Sequence, residues 1–183
     1  MEKEVSLDNL RITVLAEDSV LYESLYLGQH GVSFLLEATK GSNTTRILVD
    51  VGQNSQALLN NMRLMNISPS IINAIVLTHC HYDHTQGIVN MLKEIGKRGI
   101  PVIAHPDIFR VHFTTEPYLR HVGIMKSDSR EEIEKAGGSL SLTRDPLMII
   151  PGIMFTGGVK RNRDFEEVGI GLKTIENGKI KDD

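Results

Sequence analysis

The chain has 183 residues, of which 40% belong to the AVILMFWYC set, and a formal net charge of −3 from 20 Lys plus Arg and 23 Asp plus Glu. That length suits one domain, over residues 1–183, with a core that needs no covalent staple, and a single cysteine excludes an intramolecular disulfide framework. The 23% of charged residues argues against a disordered polyelectrolyte, the mild acidity against a nucleic-acid partner, and the lack of any run of about 18 apolar residues against a membrane-spanning helix.

The start, Met1-Glu2-Lys3-Glu4-Val5, lacks the basic-then-apolar layout of a signal peptide, so a cytoplasmic protein is expected. Residues 11–17 and 32–39 predict β-strands, the first with Ile12 and Val14 on one face. After the polar turn Lys40-Gly41-Ser42-Asn43, residues 44–51 form a nearly continuous apolar stretch, the pattern of a strand buried on both faces. The period then changes. Ala57, Leu58, Met62 and Met65 recur at helical spacing, which predicts a helix over 55–65 with its methionines filling the core. A short buried strand, 74–77, runs into Thr78-His79-Cys80-His81-Tyr82-Asp83-His84, followed by a helix over 88–97 and a strand over 101–104. This alternation points to a layered α/β fold. Further on, 118–125 reads as a strand. A helix opens at Asp128 with capping-box spacing between Ser129 and Glu132 and closes at Gly137-Gly138. Residues 147–155 are apolar but broken by Pro151-Gly152, and 171–181 read as a hairpin turning at Asn177-Gly178.

One segment carries the chemistry. His79, His81, Asp83 and His84 lie within six residues directly after a buried strand. On extended backbone, alternate side chains share a face, so His79 and His81 point together and Cys80 points away, toward packing. Where the chain bends into the next helix, Asp83 and His84 project as well. Imidazoles and a carboxylate gathered in this way are ligands for borderline divalent cations such as zinc. Asp50 ends the third strand just before Gly52. It is either a carboxylate that orients the metal loop from outside or a helix-capping turn residue.

The spelling His79-Cys80-His81-Tyr82-Asp83-His84 resembles the H-x-H-x-D-H hallmark of the metallo-β-lactamase superfamily, with Asp50 in Leu48-Val49-Asp50-Val51-Gly52 matching its upstream aspartate. Glu37 and the stretches 47–53, 74–87 and 102–107 are similar to its dihydropteroate-synthase-like branch, which holds a pterin-coupling synthase and many metal-dependent hydrolases. Phe155-Thr156-Gly157-Gly158, Arg161 and Phe165-Glu166 extend the likeness less specifically. The resemblance implies an αββα sandwich with up to two zinc or other divalent ions, His79 and His81 on the first, Asp83 and His84 on the second. Asp83 would also be catalytic, with Asp50 supporting the ligands. A histidine at position 81, where a redox di-iron relative has glutamate, implies a zinc-type site. Bound ions would bring a water's pKa toward about 7 and clamp a phosphate or carbonyl oxygen. The implied substrate is a small, phosphorylated, pterin-like molecule.

The chain departs from the family in lacking a Gly-Cys-x-His segment and its late histidine ligand. Each ion has two clear ligands where a catalytic zinc usually has three. The chain therefore resembles the front part of a longer protein, incomplete at its C-terminal end. A complementing polypeptide or a homo-oligomer is expected to cover the sheet edges so left. The alternative function is a non-catalytic or partner-dependent metal-binding fragment. Past His84, His105 is a substitute ligand, a substrate-lining residue or a turn residue held by Pro106. Arg161 and Arg163 either pair with a substrate phosphate or belong to a solvated loop.

Overall fold

Strand, helix and strand follow one another at the centre of the chain because the apolar period switches between two and 3.6 residues. The structure, a computed structural model, describes residues 6–160, 162 and 171–182. Strands β1 (Asn9–Ala16), β2 (Ser33–Lys40) and β3 (Asn43–Val49) form an antiparallel meander, with Lys40 and Asn43 paired across the tight turn at Gly41. Helix α1 (Ser55–Leu64) then leads to β4 (Ala74–Val76), and the short helix α2 (Tyr82–Thr85) and α3 (Ile88–Ile95) lead to β5 (Ile100–Ala104). Strands β6 (His112–Thr114) and β7 (Arg120–His121) precede α4 (Arg130–Lys135) and β8 (Gly138–Leu142). Strands β9 (Leu147–Ile150), β10 (Ile153–Phe155), β11 (Leu172–Glu176) and β12 (Lys179–Asp182) complete the order.

The principal sheet runs β1-β2-β3-β4-β5-β8, antiparallel as far as β3 and parallel from β3 to β8. Parallel neighbours need crossovers, and α1, α3 and α4 supply them. Leu58 and Met62 of α1, Ile88, Met91 and Leu92 of α3 and Ile133 of α4 are fully buried against Leu48, Ile75 and Val102 of the sheet. On the opposite face Ile47, Val76 and Ile103 pack with Phe155 of the β9–β10 hairpin. Leu48 and Ile47, adjacent on β3, thus serve two cores, which accounts for that strand's unbroken apolar run. A second sheet, β12-β11-β6-β7, holds the hairpin whose turn residues Asn177 and Gly178 have φ of 52° and 73°, as a type I′ turn requires. The described residues thus form a mixed α/β fold with helices covering one face of the principal sheet.

Ile12 and Val14 share a face of β1, as expected; that face is 57% and 46% exposed, and the strand reaches the core through Leu15 and Ala16. Two expectations change. Of residues 118–125 only Arg120 and His121 pair as strand, because the next two amides, Val122 and Gly123, both donate to the His112 carbonyl and end the ladder. Asp128 does not open α4. It is 3% exposed and its Oδ1 accepts from the Gly87 and Val89 amides at 3.3 and 3.2 Å, capping α3 instead. Ser129 takes the N-cap position of α4 without a side-chain bond, and Glu132 pairs with Lys135 rather than closing a capping box.

Glu37 ties the meander together. Its Oε2 accepts from Arg11 Nε at 2.6 Å and its Oε1 from Arg46 Nε at 3.1 Å. Burial works against the charged carboxylate, but the two guanidiniums outweigh it and hold the pKa below the usual 4.5. A lowered folded-state pKa gives stability that is complete above 4.5 and disappears as pH falls through the folded value. Glu37→Gln should therefore cost about 1–2 kcal/mol at pH 7, the mostly exposed Arg11 keeping the figure small, and less at pH 3, as the pH falls from 4.5 toward the folded-state value. Urea unfolding at the two pH values checks this.

Candidate metal centre

Three parallel strands deliver their carboxyl ends to one edge of the principal sheet, the place where open α/β sheets bind ligands. The Asp50 amide continues the β3–β4 ladder by donating to Val76 O at 2.8 Å, and the Leu77 amide continues β4–β5 by donating to Ile103 O at 2.9 Å. Asp50, Thr78-His79 and His105 therefore emerge side by side. The chain then turns through α2, where the His84 amide donates to His81 O and the Val51 amide to His84 O, both at 3.0 Å. This single turn brings His84 back beside Asp50.

Asp50 is 1% exposed, with φ of 55°, a left-handed conformation that Asp and Asn tolerate better than most residues. Its Oδ1 accepts from the Thr78 amide at 2.8 Å, and its Oδ2 accepts from Thr78 Oγ1 at 2.6 Å and from His84 Nδ1 at 2.8 Å. Because the Thr78 hydroxyl gives its proton to Asp50, it accepts from His79 Nδ1 at 3.0 Å. One buried carboxylate thus holds both rings by Nδ1, directly or through Thr78, which leaves Nε2 as the atom each can offer a cation. This is the outer-shell arrangement that orients imidazole ligands.

The rings converge. His79 lies 4.8 Å from His81 and 4.0 Å from His84 between ring centroids, and Asp50, His79 and His84 each place a ligand atom within 4.8 Å of the others. His84 Nε2 stands 3.5 Å from Asp83 Oδ2. Two ligand atoms about 2.0–2.2 Å from a tetrahedral zinc are separated by about 3.3–3.6 Å, so this pair has the spacing of atoms sharing a cation. Burial, then the neighbouring rings of His84 and His81, push the His79 pKa down to about 4, so that ring is neutral and its lone pair available at pH 7. Burial would lower His84 too, but the bond to Asp50 and the charges of Asp50 and Asp83 raise it. A donor set of imidazole nitrogen and carboxylate oxygen fits a borderline divalent ion.

Cys80 is 8% exposed and joins the core beneath the sheet. His105 Nδ1 accepts from the Asp107 amide at 3.1 Å, making the ring a cap for the turn at Pro106, while the ring also lines a cavity of about 670 Å³ together with Thr78, His79, Arg110 and Phe155. Arg161 and Arg163 lie outside the described residues, as do Phe165 and Glu166. Sequence reasoning passed over Thr78 and His30. Thr78 directly precedes the His-rich run, and its hydroxyl joins Asp50 to His79. His30 Nε2 stands 3.4 Å from Asp83 Oδ2, delivered by the loop between β1 and β2, and only the glycine after it hinted at a close approach.

A family described as the β-lactamase superfamily domain matches residues 45–156, the segment that contains Asp50 and the whole His/Asp run. The chain belongs to the β-lactamase superfamily. Among relatives, it is 43% identical over 176 residues to the 7,8-dihydropterin-6-methyl-4-(β-D-ribofuranosyl)-aminobenzene-5′-phosphate synthase of Methanocaldococcus jannaschii, covering 94% of this chain and 60% of that one. It is 34% identical over 167 residues to an uncharacterised protein of the same organism, covering 91% and 60%. The chain thus spans about 60% of the length of these superfamily relatives. Among solved structures, a quorum-quenching N-acyl homoserine lactone lactonase aligns with a TM-score of 0.48 at 14% identity, covering 84% of this chain and 64% of that one. Among the described residues no helix is long and apolar enough to cross a membrane.

Proposed function

We propose that the chain is a metal-dependent hydrolase or transferase of the metallo-β-lactamase superfamily that acts on a small, phosphorylated, pterin-like substrate. The observation that carries this reading is the grip of Asp50 on Thr78 and His84, which turns imidazole lone pairs toward one shared volume. His79 and His81 would hold one divalent ion, Asp83 and His84 a second, with zinc the ion their chemistry suits. Asp50, its oxygens already accepting three hydrogen bonds, would stay outside as the anchor. A bound ion would supply Lewis acidity toward a substrate oxygen and lower the pKa of a water. The chain's own residues do the rest. Asp50 keeps the His84 proton on Nδ1, Thr78 does so for His79, and Asp83 accepts a proton from the incoming nucleophile. His105 lines the substrate side. The pterin-like substrate comes from the 43% identical synthase, whose name describes a dihydropterin joined to a phosphorylated aminobenzene riboside.

The test is to strip the purified chain with a chelator, restore zinc, manganese or ferrous iron separately, and assay pterin diphosphate coupling beside phosphoester hydrolysis. The expected result is an activity lost on stripping and restored by one ion; a rate indifferent to both treatments contradicts the proposal. A second reading, a chain active only with a partner polypeptide, is favoured by the outer face of β1, where Leu10, Ile12 and Val14 are 44%, 57% and 46% exposed. It predicts that activity appears only when a complementing chain is added.

A further inference from the structure

Asp83 and His84 would give their ion two protein ligands, one fewer than the three that a catalytic zinc usually draws from its protein. The loop between β1 and β2 brings a further imidazole to them. His30 Nε2 stands 3.4 Å from Asp83 Oδ2, and His84 Nε2 stands 3.5 Å from the same oxygen. A nitrogen and an oxygen joined by a hydrogen bond usually lie about 2.7–3.2 Å apart, whereas two ligand atoms on one tetrahedral zinc lie about 3.3–3.6 Å apart. Both rings therefore keep from Asp83 the spacing of atoms that share a cation. His30, Asp83 and His84 also line one cavity of about 1060 Å³, which leaves room for a ligand that the protein does not supply.

The backbone on either side of His30 is fixed. Before it, the Gln29 amide donates to Glu17 O at 2.9 Å, and Gln29 Oε1 accepts from the Asn54 amide at 2.5 Å. Further back, Asn61 of α1 accepts from the Leu27 amide at 2.8 Å and donates to Leu27 O at 2.9 Å. After it, Gly31 packs so closely on Asp83 that an added Cβ would lie 1.7 Å from the Asp83 carbonyl oxygen. The His30 side chain is itself 63% exposed, so this anchoring does not serve to bury the ring; it holds the ring against Asp83. Asp18 stands on the other side, its Oδ1 3.9 Å from His30 Nδ1, an exposed carboxylate with a short distance left to close. Carboxylate at Nδ1 and cation at Nε2 is the order that Asp50 gives to His84, and it is how outer carboxylates orient imidazole ligands.

We infer that His30 is a ligand of the divalent ion held by Asp83 and His84, with Asp18 steering its ring. The β1–β2 loop thereby becomes part of the metal centre, although it precedes the segment 45–156 that carries the family match. This deepens the function proposed above and rests on it for the presence of the ion.

The experiment loads the chelator-stripped, nitrogen-labelled chain with NMR-active cadmium and reads the imidazole nitrogens. The expected result is scalar coupling between cadmium and His30 Nε2, which a merely structural histidine does not show. His30→Ala should leave the ion at His79 and His81 in place and weaken the other by more than the about 10–100-fold that losing an outer-shell partner costs. Free imidazole should restore that ion. Asp18→Asn should weaken the same ion by about tenfold, within the outer-shell range, and keep the coupling. Both side chains are exposed, and circular dichroism verifies that the variants fold. Bound cadmium without coupling to His30, or equal affinity in His30→Ala, overturns the inference and leaves the metal centre of the proposed function standing. A wild-type chain that takes up no cadmium contradicts both.

Discussion

Asp50→Asn is expected to raise the dissociation constant for zinc by about 10–100-fold, the usual cost of losing an outer-shell partner of a metal-binding histidine. Asparagine keeps the size of the side chain and tolerates the φ of 55°, so the backbone has no reason to move. What changes is the acceptor count. The wild-type carboxylate accepts three hydrogen bonds, from the Thr78 amide, the Thr78 hydroxyl and His84 Nδ1. An amide offers one oxygen and an NH2 group, so whichever way it faces, one side of the set meets a donor. If the amide nitrogen faces His84, that ring gains by moving its proton to Nε2, which removes the lone pair meant for the cation. Competition against a chromophoric chelator measures the constant. An unchanged affinity would show that the Asp50 bonds do not orient the ligands.

Gly31→Ala is expected to be the most destabilising single methyl addition in the site. The residue has φ of 81°, and a Cβ there would lie 1.7 Å from the Asp83 carbonyl oxygen and 2.6 Å from its carbonyl carbon. The left-handed backbone costs an alanine about 1–2 kcal/mol and the collision with a packed backbone about 1–3 kcal/mol more. Together these lower the thermal midpoint by about 4–20 °C, if each kcal/mol moves a domain of this size by about 2–4 °C. Gly41 supplies the control. Its φ is 59° but nothing lies within 4 Å of an added Cβ, so Gly41→Ala should show the backbone part alone. Equal losses in the two variants would deny the close approach between the β1–β2 loop and Asp83. Because that approach also delivers His30 and seats Asp83, the Gly31 variant should bind metal more weakly as well.

Much of this architecture was legible before any coordinates. Asp50 and the His79–His84 run could be placed because each follows a buried apolar strand, and strands of that composition become parallel neighbours whose ends meet. The structure groups Asp50, His79 and His84 most tightly, a set that sequence spacing alone does not give, since Asp50 stands far from the run in the chain. Asp128 was misplaced because an acidic residue before a helix is the signature of a cap for that helix, and the sequence does not show α3 lying closer. The strand expected at 118–125 shrank because apolar composition carries no information about an amide pair donating to one carbonyl. His30 was missed for a similar reason. A lone histidine in a loop has no pattern, and its meaning comes only from the Asn61 and Glu17 bonds that fold the loop onto Asp83.

The account stands on imidazoles 79, 81 and 84 and the carboxylate of Asp83 gathering to hold cations. X-ray absorption at the zinc edge of the purified, zinc-titrated chain tests it most directly. The predicted spectrum shows a first shell of nitrogen and oxygen only, with outer-shell scattering from several imidazoles, and this signal weakens in His79→Ala and His84→Ala. A folded chain that takes up no stoichiometric zinc, or a shell containing the sulfur of Cys80, would contradict it.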